Sequence, residues 1–223
     1  MKKLKRAGIF LLCFVLLLLC SCSKNAVQTQ PETVIKTVTD TNGKTYKAVV
    51  DENGFIMCDS AGKMIITAED EKGNPLKNEQ GEYVTQKVSF PNILVGENEI
   101  YTEFYKLPIP QNWQNKSTDL VKLSFTENGK TAEITVNERG SMSSVNCVKE
   151  IEDMLSVLGE VKKNTVDFNF ATATGIELEN VMTVYVFSVE GRTYFVKITA
   201  EKEMFEKINF TEIVNTIKFR KGE

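Results

Sequence analysis

The sequence predicts an α+β fold: an antiparallel sheet with packed helices over residues 97–223, preceded by a small β-turn repeat module over residues 33–96. Three observations carry that expectation. Asp and Gly recur with a 19-residue period through residues 40–96. Short strands with one polar face flank Asn128-Gly129. An amphipathic helix over 144–158 then leads into more strands and a closing helix, which is the pattern of a sheet with helices laid on it.

The chain starts with Lys2-Lys3-Leu4-Lys5-Arg6, and Ala7 to Leu19 is an unbroken run of apolar residues and glycine. A spanning helix needs about 20 residues, so the run reads as the core of a signal peptide over residues 1–21. Leu19-Cys20-Ser21-Cys22 resembles the lipobox of bacterial lipoproteins, with small Ser21 before the cysteine that is modified. The resemblance implies diacylglycerol on Cys22, an extracytoplasmic position, and anchoring to the cell membrane or outer membrane. Cys20 follows bulky Leu19 and fits the motif less well. An uncleaved N-terminal anchor is the alternative. Residues 22–32 are then the lipidated cysteine and a polar tether that includes Pro31.

Composition narrows the chemistry open to the chain. It is 42% hydrophobic and 26% charged, an ordinary globular balance. Four of its 27 basic residues lie in the leader, leaving 23 against 30 acids, a net charge near −7. That balance argues against nucleic acid and tolerates a basic partner. There is no histidine, which removes Ser-His and Cys-His catalysis and the commonest zinc sites. No cofactor is expected. With Cys22 lipidated, Cys58 and Cys147 remain; one bridge is conceivable, and two separate thiols are preferred.

Residues 40–58 (DTNGKTYKAVVDENGFIMC) and 59–77 (DSAGKMIITAEDEKGNPLK) share one frame, and 78–96 (NEQGEYVTQKVSFPNILVG) follows it more loosely. The pairs Asp40/Gly43, Asp51/Gly54, Asp59/Gly62, Asp70/Gly73 and Asn78/Gly81 read as five turns, the Asp or Asn capping each and the Gly accepting positive φ. Strands are expected at Tyr46–Val50, Met64–Thr67 and Tyr83–Val88. The module has a loose compositional likeness to Asp/Gly-turn repeats of other bacterial surface proteins. Calcium is a sharper reading of acidic turns, but Asp40-Thr41-Asn42-Gly43 supplies only part of an EF-hand loop.

In the C-terminal part a strand is expected over Ile100–Leu107, ended by Pro108-Ile109-Pro110. A hairpin is expected about Asn128-Gly129, with Leu120–Phe125 and Ala132–Val136 as its arms. Cys147, Val148, Ile151, Met154, Leu155 and Leu158 form one face of the helix 144–158, with Gly159 as its stop. Strands follow at 166–170, 181–189 and 193–199. Asn209 and Glu212 form a capping box, with Ile208 and Ile213 as its staple, and open the last helix. Residues 97–223 are expected to fold without the repeat module.

The strand leading into Pro110-Gln111-Asn112-Trp113, the hairpin, the helix, and the closing Ile213-Val214-Asn215-Thr216-Ile217-Lys218-Phe219 resemble the PsbP/DcrB-type fold. The resemblance covers about 120 residues and implies a non-enzymatic accessory or binding role, with no catalytic residues to carry over. The function expected is therefore a binding lipoprotein of the bacterial cell envelope, with the membrane and an envelope protein as partners. Trp113 and Tyr105 are the candidate contact residues, each weighed against plain core packing. A carboxylate-dependent hydrolase of polysaccharide is the alternative, and would need two acids converging in a cleft. A structural spacer or adhesin is the third reading.

Overall fold

The computed structural model describes residues 33–221, which belong to one compact unit. It corrects the α+β expectation. The protein is mostly antiparallel β, with 47% of residues in strands and 13% in three short helices, arranged about two sheets. In chain order the elements are β1 (Val34–Asp40), β2 (Thr45–Val50), β3 (Lys63–Thr67), β4 (Thr85–Ser89), β5 (Leu94–Val95), β6 (Glu99–Tyr101), β7 (Tyr105–Pro108), β8 (Gln114–Asn115), β9 (Val121–Glu127) and β10 (Lys130–Glu138). Then come α1 (Ser144–Ser156), β11 (Val161–Asp167), β12 (Thr172–Leu178), β13 (Met182–Val189), β14 (Arg192–Ala200), α2 (Lys202–Lys207), α3 (Phe210–Asn215) and β15 (Lys218–Phe219).

The first sheet has the order β15-β7-β6-β5-β1-β2-β3-β4. Its β1–β4 half is built by the five Asp/Asn turns, which share one geometry. In each, the side-chain Oδ1 accepts from the backbone N–H groups two and four residues on, at 2.8–3.0 Å. The glycine N–H donates back to the carbonyl of the Asp or Asn, and glycine φ lies between 73° and 85°. This is the three-residue hairpin loop closed by a left-handed glycine. Turns 11 and then 8 residues apart produce alternating long and short arms, which is the origin of the 19-residue period.

The side chains on one face of this half converge. Val38, Tyr46, Ala48, Val50, Ile56, Met64, Ile66, Leu94 and Tyr101 form a single core, with Val88 and Phe90 against it. Ser89 and Leu94 are only five peptide steps apart, a reach of at most about 17 Å. Yet they belong to strands four ladder steps apart, about 19 Å across a flat sheet. The sheet is therefore rolled about its core.

β5 pairs with β1 and β6 pairs with β5, so the expected boundary between residues 96 and 97 falls inside this sheet. Side chains span it as well. Lys36 Nζ donates to Glu99 Oε2 at 2.7 Å and to the Tyr101 hydroxyl at 2.8 Å. Burial works to raise the Glu99 carboxyl, but the bonds from Lys36 and Tyr101 outweigh it and hold the group below its ordinary value. Lys106, 4% exposed, donates to the Asn53 carbonyl at 2.9 Å and lies 3.4 Å from Glu99 Oε1.

The second sheet has the order β11-β12-β13-β14-β10-β9-β8. On one face α1 buries Cys147, Ile151 and Leu155 against Ile176, Val184 and Val186. The other face meets α2, α3 and the β6–β7 edge through Ile134, Val136, Tyr194, Val196, Met204, Phe210, Ile100 and Leu107. Asn128 and Gly129 both take positive φ, as the expected two-residue hairpin requires. Asn209 caps α3, accepting from Glu212 N at 3.2 Å.

Several expected elements are redrawn. The single strand over 100–107 is two, β6 and β7, because Thr102 Oγ1 accepts from Phe104 N and Tyr105 N and folds the chain back. The strand expected at 166–170 ends early: Phe168 N donates to the Ala171 carbonyl in a turn, and β11 and β12 lie on either side of it. Most of β11 is solvent-exposed and carries Lys162, Lys163 and Asn164, so it has no apolar alternation to mark it. α1 stops at Ser156, two residues short. Its buried stripe runs Cys147–Ile151–Leu155 with Val148 alongside, leaving Met154 on the flank at 57% exposure and Leu158 beyond the helix.

Candidate functional site

Among the concavities of the described surface, two lie beside the sheets. The smaller, about 270 Å³, lies where the two sheets meet. Its walls come from four segments: the link after β4 (Phe90 to Ile93), the β6–β7 turn (Thr102 to Tyr105), the entry to β9 (Asp119 to Val121), and the end of β10 (Val136 to Glu138). Thr102 fixes the turn, donating its N–H to the Tyr105 carbonyl at 2.9 Å and accepting at Oγ1. Phe104 is thereby presented at the tip, and the Arg192 guanidinium lies 3.7 Å from its ring centre. Arg192 also binds Glu138, its cross-sheet neighbour in the β10–β14 ladder region.

Tyr105 lines this pocket and is 4% exposed. Its ring meets Tyr194 edge-on at 5.9 Å and Phe219 at 5.8 Å. It is a candidate contact residue by sequence; its ring packs in the core, because β7 turns alternate side chains towards the second sheet. The hydroxyl has no hydrogen-bond partner among the described residues, yet no fully enclosed side-chain oxygen lacks one. The hydroxyl therefore meets solvent. Burial, followed by the nearby Tyr194 and Glu138, pushes this phenol far above its ordinary value, so it stays protonated.

Trp113, the other candidate contact residue, is half-buried. Asn112 takes φ of 67°, and Trp113 N donates to the Pro110 carbonyl at 3.0 Å. That turn lays the indole on Phe125, with ring centres 5.6 Å apart, and edge-on to Phe210 at 6.3 Å. It roofs the core away from the pocket. The structure does not bring Trp113 and Tyr105 together in one site. Cys22 lies outside the described residues.

The larger concavity, about 500 Å³, lies between the β11–β12 edge and the α2–α3 helices. On β12 beside it, a Cβ at Gly175 would stand 1.9 Å from Asn164 Oδ1, so only glycine leaves room for the Asn164 carboxamide. Asn164 donates to Glu177 Oε1 at 2.8 Å, and Lys162 Nζ binds Glu179 Oε2 at 3.1 Å. Two carboxylates, Glu177 and Glu179, thus share a cleft, as a polysaccharide hydrolase would require, but each is tied to a side-chain donor.

The two thiols are unbridged. Burial raises both, Cys147 at the α1–sheet contact and Cys58 in the first short arm. Glu150 and Glu152 of α1 are paired with Arg139 and Lys163 on a solvated face. Sequence reasoning missed Glu138, Asp119 and Arg192. No local pattern marks them, because Glu138 and Arg192 are 54 positions apart and only the sheet register joins them.

Among the described residues no helix is long and apolar enough to cross a membrane. The chain matches no protein-family profile and no curated protein.

Proposed function

We propose that the protein is a non-catalytic binding lipoprotein of the bacterial cell envelope, anchored by lipid on Cys22 and acting by contact through residues 97–223. The observation that carries the reading is the pocket at the sheet junction. It brings together polar and apolar side chains from four segments, with Glu138 held by Arg192, the make-up of a recognition site rather than of a nucleophile with its base. The anchor is supported by Leu19-Cys20-Ser21-Cys22 and the short apolar run before it. Confinement at a membrane raises the local concentration of neighbouring envelope proteins, so a weak contact suffices. A PsbP/DcrB-type relationship, proposed on the Pro110–Trp113 and Ile213–Phe219 segments, is consistent with such a role.

The test has two arms. Cross-linking in intact envelopes should recover a partner with the wild-type chain and lose it with Cys22→Ala, which should also lose incorporated palmitate. Purified protein should show no turnover of wall glycans or peptides. Turnover abolished by Glu177→Gln or Glu179→Gln in a folded variant would establish the hydrolase instead.

A further inference from the structure

The apolar pattern of α1 is longer than the surface that covers it. Cys147, Ile151 and Leu155 reach the second sheet, but the pattern runs on through Met154, Val157 and Leu158. Val157 and Leu158 are 84% and 66% exposed, and Met154 is more than half exposed. Val181, also more than half exposed, stands at the tip of the β12–β13 turn at the same pole. Its N–H donates to the Leu178 carbonyl at 3.0 Å, and Leu178 Cδ1 lies 3.0 Å from where a Cβ on Gly159 would stand. Four such side chains present on the order of 400 Å² of apolar surface, a size at which patches on monomers are often contact sites.

We propose that this pole rests in the headgroup region of the bilayer, with Met154, Val157, Leu158 and Val181 inserted, and so fixes how the anchored domain stands. The proposal deepens the binding role above and rests on the lipid at Cys22. That cysteine lies eleven positions before Thr33, a link of at most about 40 Å. A unit of this size is itself about 40 Å across, so on such a leash the bilayer is the apolar phase always within its reach. The shape of the patch favours lipid as well. A helix end and a turn tip protrude, and none of the four side chains lines either concavity. A rigid protein surface would need a matching hollow, whereas a fluid interface receives protruding aliphatic groups without one. Glu160 and the Lys162–Glu179 pair flank the patch and leave no cationic surplus, so the contact is apolar rather than electrostatic. Register then places the sheet-junction pocket. Met182, at the patch pole, pairs with Thr199, and Thr199 with Glu133. Glu138, on the pocket wall, is five residues further along β10, about 17 Å. The pole that meets lipid thus leaves the pocket at the far end of β10, open to envelope partners.

The lipidated full-length chain is reconstituted into phosphatidylcholine vesicles with a nitroxide on Val157→Cys, Val181→Cys or Val145→Cys. Each carries Cys58→Ser as well, which leaves Cys147, enclosed under α1, as the other thiol. Val145 is 75% exposed and lies about 18 Å from Val157 along the helix, so it serves as the water-facing control. Collision with oxygen relative to a nickel chelate should be at least about fivefold higher at positions 157 and 181 than at 145, as for groups in the acyl boundary against groups in water. Leu158→Asp, on an exposed position, should leave thermal unfolding unchanged and bring the ratio at position 157 down to that at 145. Water-like ratios at all three positions overturn the proposal. A label at position 157 that is mobile in vesicles but immobilised in native envelopes also overturns it, because a protein then covers the patch. Flotation separates the two claims. Chain that floats with the vesicles but carries water-like labels keeps the anchor and loses the orientation. Chain that does not float loses the anchor, and the proposal with it.

Discussion

Arg220 Nη2 donates to the Ile56 carbonyl at 2.6 Å, so the end of the chain is bonded to the first short arm of the turn module 164 positions earlier. Beside it, Phe219 packs on Tyr194 at 5.0 Å and on Phe170 at 4.9 Å. A two-residue strand thus pairs with β7 in the first sheet and plugs the aromatic core of the second. Phe219→Ala should cost about 2–3 kcal/mol, less than a full core truncation because the ring is half-buried. Thermal unfolding would read it. A loss within about 0.5 kcal/mol would show that the C-terminal strand is dispensable.

The sharing of strands between modules gives the second prediction. A chain starting at Glu97 loses β1 to β5 and exposes Tyr101, whose ring those strands bury in the core of the first sheet. It should bind ANS and unfold over a broad range, whereas a chain starting at Thr33 should unfold in one cooperative step. Equal cooperativity in the two would show that residues 97–223 are self-sufficient.

Glycine substitutions should separate turn strain from crowding. Gly43 and Gly54 take positive φ of 85° and 76°, but only Gly54 has a neighbour where a Cβ would stand, Lys106 Nζ at 2.8 Å. Gly43→Ala should cost about 1–2 kcal/mol, the left-handed penalty alone. Gly54→Ala should cost more, because it also displaces the buried Lys106 from the Asn53 carbonyl. Urea denaturation of the two variants checks the order.

Acid should loosen the turn module first. The backbone N–H groups of Lys44, Lys63 and Asn74, with further donors, hold Asp40, Asp59 and Asp70 below the ordinary 3.8. A depressed folded-state value means stabilisation that is complete above the unfolded value and lost as pH falls through the folded one. Amide protection over residues 40–89 should therefore fall below about pH 4. Asn78 forms the same turn with a neutral side chain. Asp→Asn at positions 40, 59 and 70 together should keep the turns and flatten that acid limb; an unchanged limb would locate the acid sensitivity elsewhere.

Cys147, 1% exposed with its thiol pushed up by burial, should be alkylated on the order of a hundredfold more slowly than after unfolding. Peptide-resolved mass spectrometry after a neutral iodoacetamide pulse reads it apart from Cys58. Fast labelling in the native protein would mean that α1 opens locally.

The features legible in the sequence are local ones. The five Asp/Asn–Gly turns, the Asn128-Gly129 hairpin and the Asn209 cap each rest on a few adjacent residues, and their chemistry is the same in a peptide as in the fold. The β content is not legible, because edge strand β11 meets water along most of its length and β5 to β8 are two to four residues long. The first lacks a buried face to alternate with, and the others fall below the length at which alternation shows. Tyr105 can be picked out as an aromatic near a strand end, but the carboxylates about its pocket come from β10 and the entry to β9. Only register brings them to it.

The short connector from Ser89 to Leu94 has a consequence for the repeat array. Because the sheet is rolled, β4 and β5, at the two ends of the β5-β1-β2-β3-β4 run, are joined by a five-step return. With β5 paired to β1 and to β6, the turn array is tied back at both ends and cannot serve as a telescoping stalk.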